Sequence, residues 1–176
     1  MHKINLTKPL ESSLVNKLHL SGIIAAAILL TVWLVLHGNK IIVALWNQLE
    51  DLWLNLFSIL VTVLVHELCH FLVYPRDGKR RLGFTKKYFA PYAQYEGPLR
   101  KNRYLLACLA PFLILTIGPL LISILLNFSV WPFLVSIINV TLSTADIYVA
   151  YNIWKKAPPG STVDYDETGF FAEIVN

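Results

Sequence analysis

Four apolar stretches dominate the pattern of the chain, from Leu20 to His37, Leu52 to Tyr74, Tyr104 to Leu126 and Phe128 to Trp154. At about 1.5 Å per residue each can cross about 30 Å of hydrocarbon. The pattern therefore predicts an all-α integral membrane protein with four transmembrane helices. Ahead of the first stretch, Thr7-Lys8-Pro9-Leu10-Glu11 offers a cap, an early proline and a first-turn acid. Leu10, Leu14 and Leu18 then form an apolar stripe, so an interfacial helix should lead into the first span. Ile41 to Leu49, with Trp46, reads as an outer-surface segment between the first two spans.

The one sizeable polar connection runs from Pro75 to Arg103. It is rich in aromatics, as in Tyr88-Phe89-Ala90-Pro91-Tyr92-Ala93-Gln94-Tyr95, and is interrupted by Gly83, Pro91, Gly97 and Pro98. Short extended pieces and turns follow from that composition, with a hairpin whose edge could pair with an extended peptide. In the third stretch Pro111 and Gly118-Pro119 predict local kinks, and neighbouring helices must satisfy the carbonyls these free. Pro158-Pro159-Gly160 stops any helix after the fourth. Residues 1–156 thus read as a single four-span membrane domain and 157–176 as a cytoplasmic tail, either a mobile end or a cover over the cytoplasmic face.

Composition agrees and adds orientation. With 56% hydrophobic residues, 15% charged and a mean hydropathy of +0.56, the 176 residues cannot coat a water-soluble globule. A cytosolic monomer, a disordered tail and a nucleic-acid module are excluded. Two cysteines, Cys69 and Cys108, are too few for a disulfide scaffold or an all-thiolate zinc cage. Fourteen of the fifteen Lys and Arg residues fall on one side of a four-span arrangement, Lys40 being the exception. The positive-inside rule makes that side cytoplasmic, with both termini inside, in the plasma membrane of a bacterium. The first apolar run reads as a retained span, not a cleaved signal.

Because ionisable residues are scarce in the spans, the few present carry weight. His66-Glu67-Leu68-Cys69-His70 lies inside the second apolar stretch. Residues four apart share a helix face, so His66 and His70 can bind one Zn2+ ion, and Glu67 can serve as general base to a water there. Buried charge at membrane depth is costly unless it is paired or metal-bound. A catalytic zinc takes three protein ligands, and Asp146 is the only acid in the fourth stretch. His66, His70 and Asp146 lie four to eight residues from the inner ends of their spans, about 6–12 Å inside the cytoplasmic boundary. Asn139, two turns before Asp146, is a candidate substrate-binding residue or an interhelical hydrogen-bonding group. Cys69 is offset from the histidine face and reads as a packing residue.

These features resemble the small four-span zincin peptidase family of unknown function, and in motif logic the site-2 protease type of intramembrane zinc metalloprotease. The likeness is carried by His66-Glu67-Leu68-Cys69-His70, the basic loop with Pro91-Tyr92-Ala93, Leu109-Ala110-Pro111 and the series Asn139, Ser143, Asp146. The resemblance implies ligation by His66, His70 and Asp146, with Glu67 as the catalytic carboxylate. Asp146 is not followed by glycine, as it is in the larger enzymes, and no PDZ-like domain is present.

The sequence therefore leads to a zinc-dependent intramembrane endopeptidase acting on membrane-associated or transmembrane peptide segments in a lipid bilayer. Two alternatives stay open: a non-catalytic zinc-stabilised membrane scaffold or regulator, and a small proton or metal transporter.

Overall fold

The protein is described here by a computed structural model that covers residues 3–7, 12–49, 52–85, 90–126, 129–166 and 169–173. The helix start read in residues 8–11 and the aromatic pair Tyr88-Phe89 lie outside this set. In chain order the elements are strand β1 (Lys3–Asn5), helices α1 (Ser12–His37), α2 (Asn39–Leu49) and α3 (Leu52–Val73), then strands β2 (Arg80–Thr85), β3 (Ala90–Tyr95) and β4 (Leu99–Arg100). Helix α4 (Lys101–Phe112) continues through a π-helical turn (Leu113–Ile117) into α5 (Gly118–Leu125). Helices α6 (Val130–Leu142) and α7 (Thr144–Lys156) and strands β5 (Thr162–Asp166) and β6 (Gly169–Glu173) complete the chain.

Three helical segments, Ser13–His37, Trp53–Val73 and Lys101–Leu125, are long and apolar enough to cross a membrane, and the α6–α7 pair makes a fourth if counted as one bent span. Their outer faces are apolar: Val35, Trp53 and Leu125 are each at least 80% exposed. Large exposed apolar faces of this kind suit a lipid neighbour. Between helices the packing is tight. The rings of Trp33 and Phe133 stack with centroids 5.7 Å apart, and Ile41 at the start of α2 is buried beside them.

The hydropathy pattern predicts one span from Phe128 to Trp154, but the chain bends there by 56°. The bend has a local cause. The Ser143 N–H closes the last turn of α6 on the Asn139 carbonyl, and the Thr144 hydroxyl donates to the Thr141 carbonyl at 3.1 Å. Such back-bonding by hydroxyl side chains competes with the helix ladder and tilts the axis. As a result α7 packs on α4, not alongside α3, and Asp146 falls in the first turn of α7.

Proline has a similar effect in α4. Pro111 has no N–H, so the carbonyl four residues earlier, at Ala107, loses its helical partner. The π-helical turn that follows spends an extra residue, and Gly118 N–H bonds back to the Leu113 carbonyl, five residues away.

The predicted hairpin is present as β2–β3, with Arg80 opposite Tyr95 and Gly83 opposite Tyr92. The Tyr92 ring lies over the bare face of Gly83, where any Cβ would collide with it. Beyond the all-α expectation stands a second sheet of order β1-β6-β5-β4, all antiparallel. It unites the two ends of the chain and packs through Leu6, Val163 and Ala172 onto Cys108, Val149 and Ile153 of α4 and α7. The described part of residues 161 onward is thus a pair of strands packed on these helices. Lys101 fastens α4 to the end of α7 by donating to the carbonyls of Trp154 (3.1 Å) and Ala157 (2.5 Å).

Helix α1 comes closest to the bend at Gly22, where a Cβ would lie 2.9 Å from the Thr141 carbonyl oxygen and 3.0 Å from its Cα. Both are backbone atoms and cannot step aside. Gly22→Ala is expected to cost about 1–3 kcal/mol through overpacking. The loss will show as a lowered melting temperature in detergent.

Candidate metal centre and cleft

The local rules that shape α3, α4 and α7 also place the site. On α3 the four-residue spacing puts His66 and His70 on one face, with rings 5.0 Å apart. The first turn of α7 brings Asp146 to them. His66 Nε2 and His70 Nε2 lie 3.3 Å apart, and Asp146 Oδ2 lies 3.1 Å from the first and 3.5 Å from the second. Among the described residues these three are the group able to hold a metal ion.

The hydrogen bonds behind the histidines decide what those nitrogens carry. His70 Nδ1 sits 2.8 Å from the Ala107 carbonyl, the one freed by Pro111. A carbonyl only accepts, so Nδ1 holds a proton, and in the neutral ring that leaves Nε2 with the lone pair. His66 Nδ1 sits 2.8 Å from Asn139 Oδ1. The orientation of that amide is fixed on its other side, because Asn139 Nδ2 donates to the Pro111 carbonyl (3.0 Å) and faces the hydroxyls of Thr116 (2.9 Å) and Ser143 (3.1 Å). His66 Nδ1 must therefore donate too, and its Nε2 also carries a lone pair.

With both rings neutral, two nitrogen lone pairs and a carboxylate oxygen converge on one point. Consistent with this, Asp146 Oδ2 is buried and lacks a hydrogen-bond donor. A cation resolves the arrangement. Tetrahedral zinc with ligands at about 2.0–2.1 Å has ligand–ligand edges of about 3.3 Å, close to the three distances observed. Two histidines and one carboxylate also leave a fourth position open, as catalytic zinc sites do.

Glu67 and Asp146 line a cleft of about 680 Å³ that also reaches His70 and Ala93. Glu67 Oε2 accepts the backbone N–H of Ala93 on β3 at 2.7 Å. The hairpin is held over the end of α3 by further contacts. Arg80 lies 4.4 Å over the Phe71 ring, and Tyr74 meets Tyr95 with centroids 5.7 Å apart. The Tyr95 hydroxyl donates to Asp77, which holds that carboxyl below its ordinary value. Burial, and then Asp77, push Tyr95 up to about 12. This tie holds across the neutral range and is lost as pH falls through the depressed carboxyl value.

The structure brings together His66, His70 and Asp146 and sets Glu67 at the adjoining cleft. Asn139 is fully buried, hydrogen-bonded to His66, and is not among the residues that line the cleft. Cys69 is buried. Sequence reasoning missed the Ala107 carbonyl and Thr116, and it quoted Ser143 and Ala93 only as bearers of the family likeness, with no role at the site. Pro111 was the available signal for the first, since a proline always strips the carbonyl four residues before it.

A helical scaffold with membrane-length apolar segments, carrying two histidines and an aspartate poised for a cation, defines a candidate metal centre. The family model described as "Putative zincin peptidase" matches residues 59–161, more than half of the chain, and the protein belongs to that family. Zinc is the metal such membership implies. Neither a curated protein nor a solved structure matches the chain.

Pro111→Ala restores an N–H that competes for the Ala107 carbonyl, and Asn139→Ala removes the acceptor of His66. Each is expected to weaken zinc affinity about 10–100-fold without touching a ligand. Competition against a calibrated chelator measures it.

Proposed function

We propose that the protein is a zinc-dependent endopeptidase that hydrolyses peptide segments within or at the edge of a membrane. The observation that carries this reading is the convergence of three potential ligand atoms beside Glu67, at a cleft bordered by a strand edge.

His66, His70 and Asp146 would hold the ion. When bound, zinc supplies Lewis acidity, polarising the scissile carbonyl and making a water acidic enough to lose its proton near neutral pH. Glu67 then takes that proton as the water oxygen attacks the carbonyl carbon, and hands it to the departing amide nitrogen as the C–N bond breaks. The low polarity around α3 strengthens each of these electrostatic interactions.

The substrate backbone is offered a place by β3. The Ala93 N–H points away from β2, so Pro91 and Tyr95, two residues to either side, also turn their backbone groups outward. An extended peptide could add there as a further strand and run past Glu67, His70 and Asp146. Ala93 N–H would then be shared between Glu67 and a substrate carbonyl. The distribution of Lys and Arg supports a cytoplasmic position for this cleft, with both termini on that side.

Three variants test the reading. Glu67→Gln should keep its zinc, measured by metal analysis, and lose at least about 100-fold in peptide cleavage, the scale of general-base catalysis. Asp146→Ala and His66→Ala should lose both zinc and cleavage. Full cleavage by Glu67→Gln would defeat the mechanism, and full zinc in Asp146→Ala would defeat the ligand assignment.

A further inference from the structure

The cleft beside the metal centre has a composition unlike the rest of this basic chain. Six rings line it, those of Tyr74, Tyr92, Tyr95, Tyr104, Tyr165 and Phe170. Three of them pack as a unit: Tyr165 and Phe170 have centroids 4.8 Å apart, and Tyr104 meets Phe170 edge-on at 5.7 Å. Four carboxylates, of Glu67, Glu96, Asp146 and Asp164, reach the cleft, while no Lys or Arg among the described residues lines it. The chain as a whole has 15 basic residues against 11 acidic ones.

Three of those acids are accounted for. Glu67 and Asp146 belong to the chemistry, and Glu96 pairs with Arg81 at 3.1 Å on the exposed hairpin. Asp164 is left over. It sits half-buried on β5, just past the point where β4 stops pairing, since β4 covers only Thr162 and Val163. One oxygen accepts the Tyr165 backbone N–H at 2.8 Å, and no cation pairs with it among the described residues. An acidic residue that lines the same cleft as these rings makes an environment for a cation. The rings offer their negative faces, and partial exclusion of water strengthens the attraction.

We infer that this cleft recognises a Lys or Arg side chain of the bound peptide, with Asp164 as its counter-ion and the Tyr104–Phe170–Tyr165 cluster as the wall its aliphatic stem lies against. The substrate class is then an apolar segment with a basic residue at its edge. This rests on the peptidase reading above and extends it to substrate choice. It also fits the chemistry of membrane proteins, whose apolar segments carry Lys and Arg at their cytoplasmic ends.

The test uses the full chain carrying Glu67→Gln, purified in detergent, so that binding is read without turnover. The probes are fluorescein-labelled peptides with a Leu/Ala apolar stretch and a polar flank, bearing Lys at each of several successive flank positions, with twins that carry Gln or Glu there. At one register the Lys peptide is expected to bind about tenfold tighter than its Gln twin, and the Glu twin more weakly still. Adding Asp164→Asn should bring the Lys peptide down to the level of the Gln twin, while Asp164→Glu should retain the preference. Zinc content serves as the folding check on both. Equal binding of Lys and Gln peptides at every position, a preference that survives Asp164→Asn, or no binding at all would overturn the inference. Cleavage by the wild type is scored separately: a Lys preference without hydrolysis of any peptide defeats the peptidase reading alone.

Discussion

Everything at the centre of this molecule depends on two N–H groups finding acceptors in an apolar bundle. His66 and His70 each have one ring nitrogen that must donate, because a buried polar hydrogen without a partner costs about 1–3 kcal/mol. Their acceptors are a side-chain amide on α6 and a carbonyl that α4 cannot use itself. Once those bonds form, the opposite nitrogens are turned toward a common point with lone pairs exposed. The third ligand then needs only to arrive, and the bend at Ser143 delivers it. Asn139 is where these demands meet. Its amide touches α3, α4, the π-helical turn and the bend, so the positions of four segments are fixed by one side chain.

The cleft is built by different means from the bundle that supports it. Helices supply the floor, where apolar packing excludes water and holds ligands rigidly. Strands supply the walls, where unpaired backbone edges and rings remain available to something extended. The two layers are joined by few but specific contacts. Arg80 on the Phe71 ring, Tyr74 on Tyr95, and the Ala93 N–H on Glu67 fasten the hairpin to α3. Lys156 Nζ, donating to the Leu6 carbonyl at 2.6 Å, ties the N-terminal segment to the end of α7. A rigid floor under adjustable walls suits a site that must place reacting atoms closely yet admit a chain of varied sequence.

Much of the centre could be read from sequence because its geometry is local or because its residues have few rivals. Two histidines four apart share a face in any helix, and Asp146 stood out as the only acid in its stretch. The hairpin announced itself through aromatics broken by glycine and proline. What could not be read depends on partners far apart in the chain. Pairing of Lys3–Asn5 with Phe171–Glu173 joins segments that carry no strong strand pattern individually. The strand Thr162–Asp166 holds two acids in five residues and resembles solvated tail until its neighbours are known. The bend at Ser143 lies inside an unbroken apolar run, where hydropathy sees no reason to stop. Hydroxyl and amide groups made it, and their effect depends on which carbonyls lie within reach.

The π-helical turn has one more consequence. A π turn is an α-helix carrying one residue beyond its usual count, and the surplus sets the phase of all that follows. Removing any single residue between Leu113 and Ile117 would rewind the segment and rotate α5 by about 100° against α4. The Thr116 hydroxyl would leave Asn139, and the Thr116 carbonyl would leave Ser136, which now donates to it at 3.0 Å. Leu113 and Ile114 are each about half exposed and could be exchanged for other apolar residues at little cost. In this stretch, therefore, the number of residues is constrained far more tightly than their kind, and drift among relatives should take the form of substitution and not of insertion or deletion.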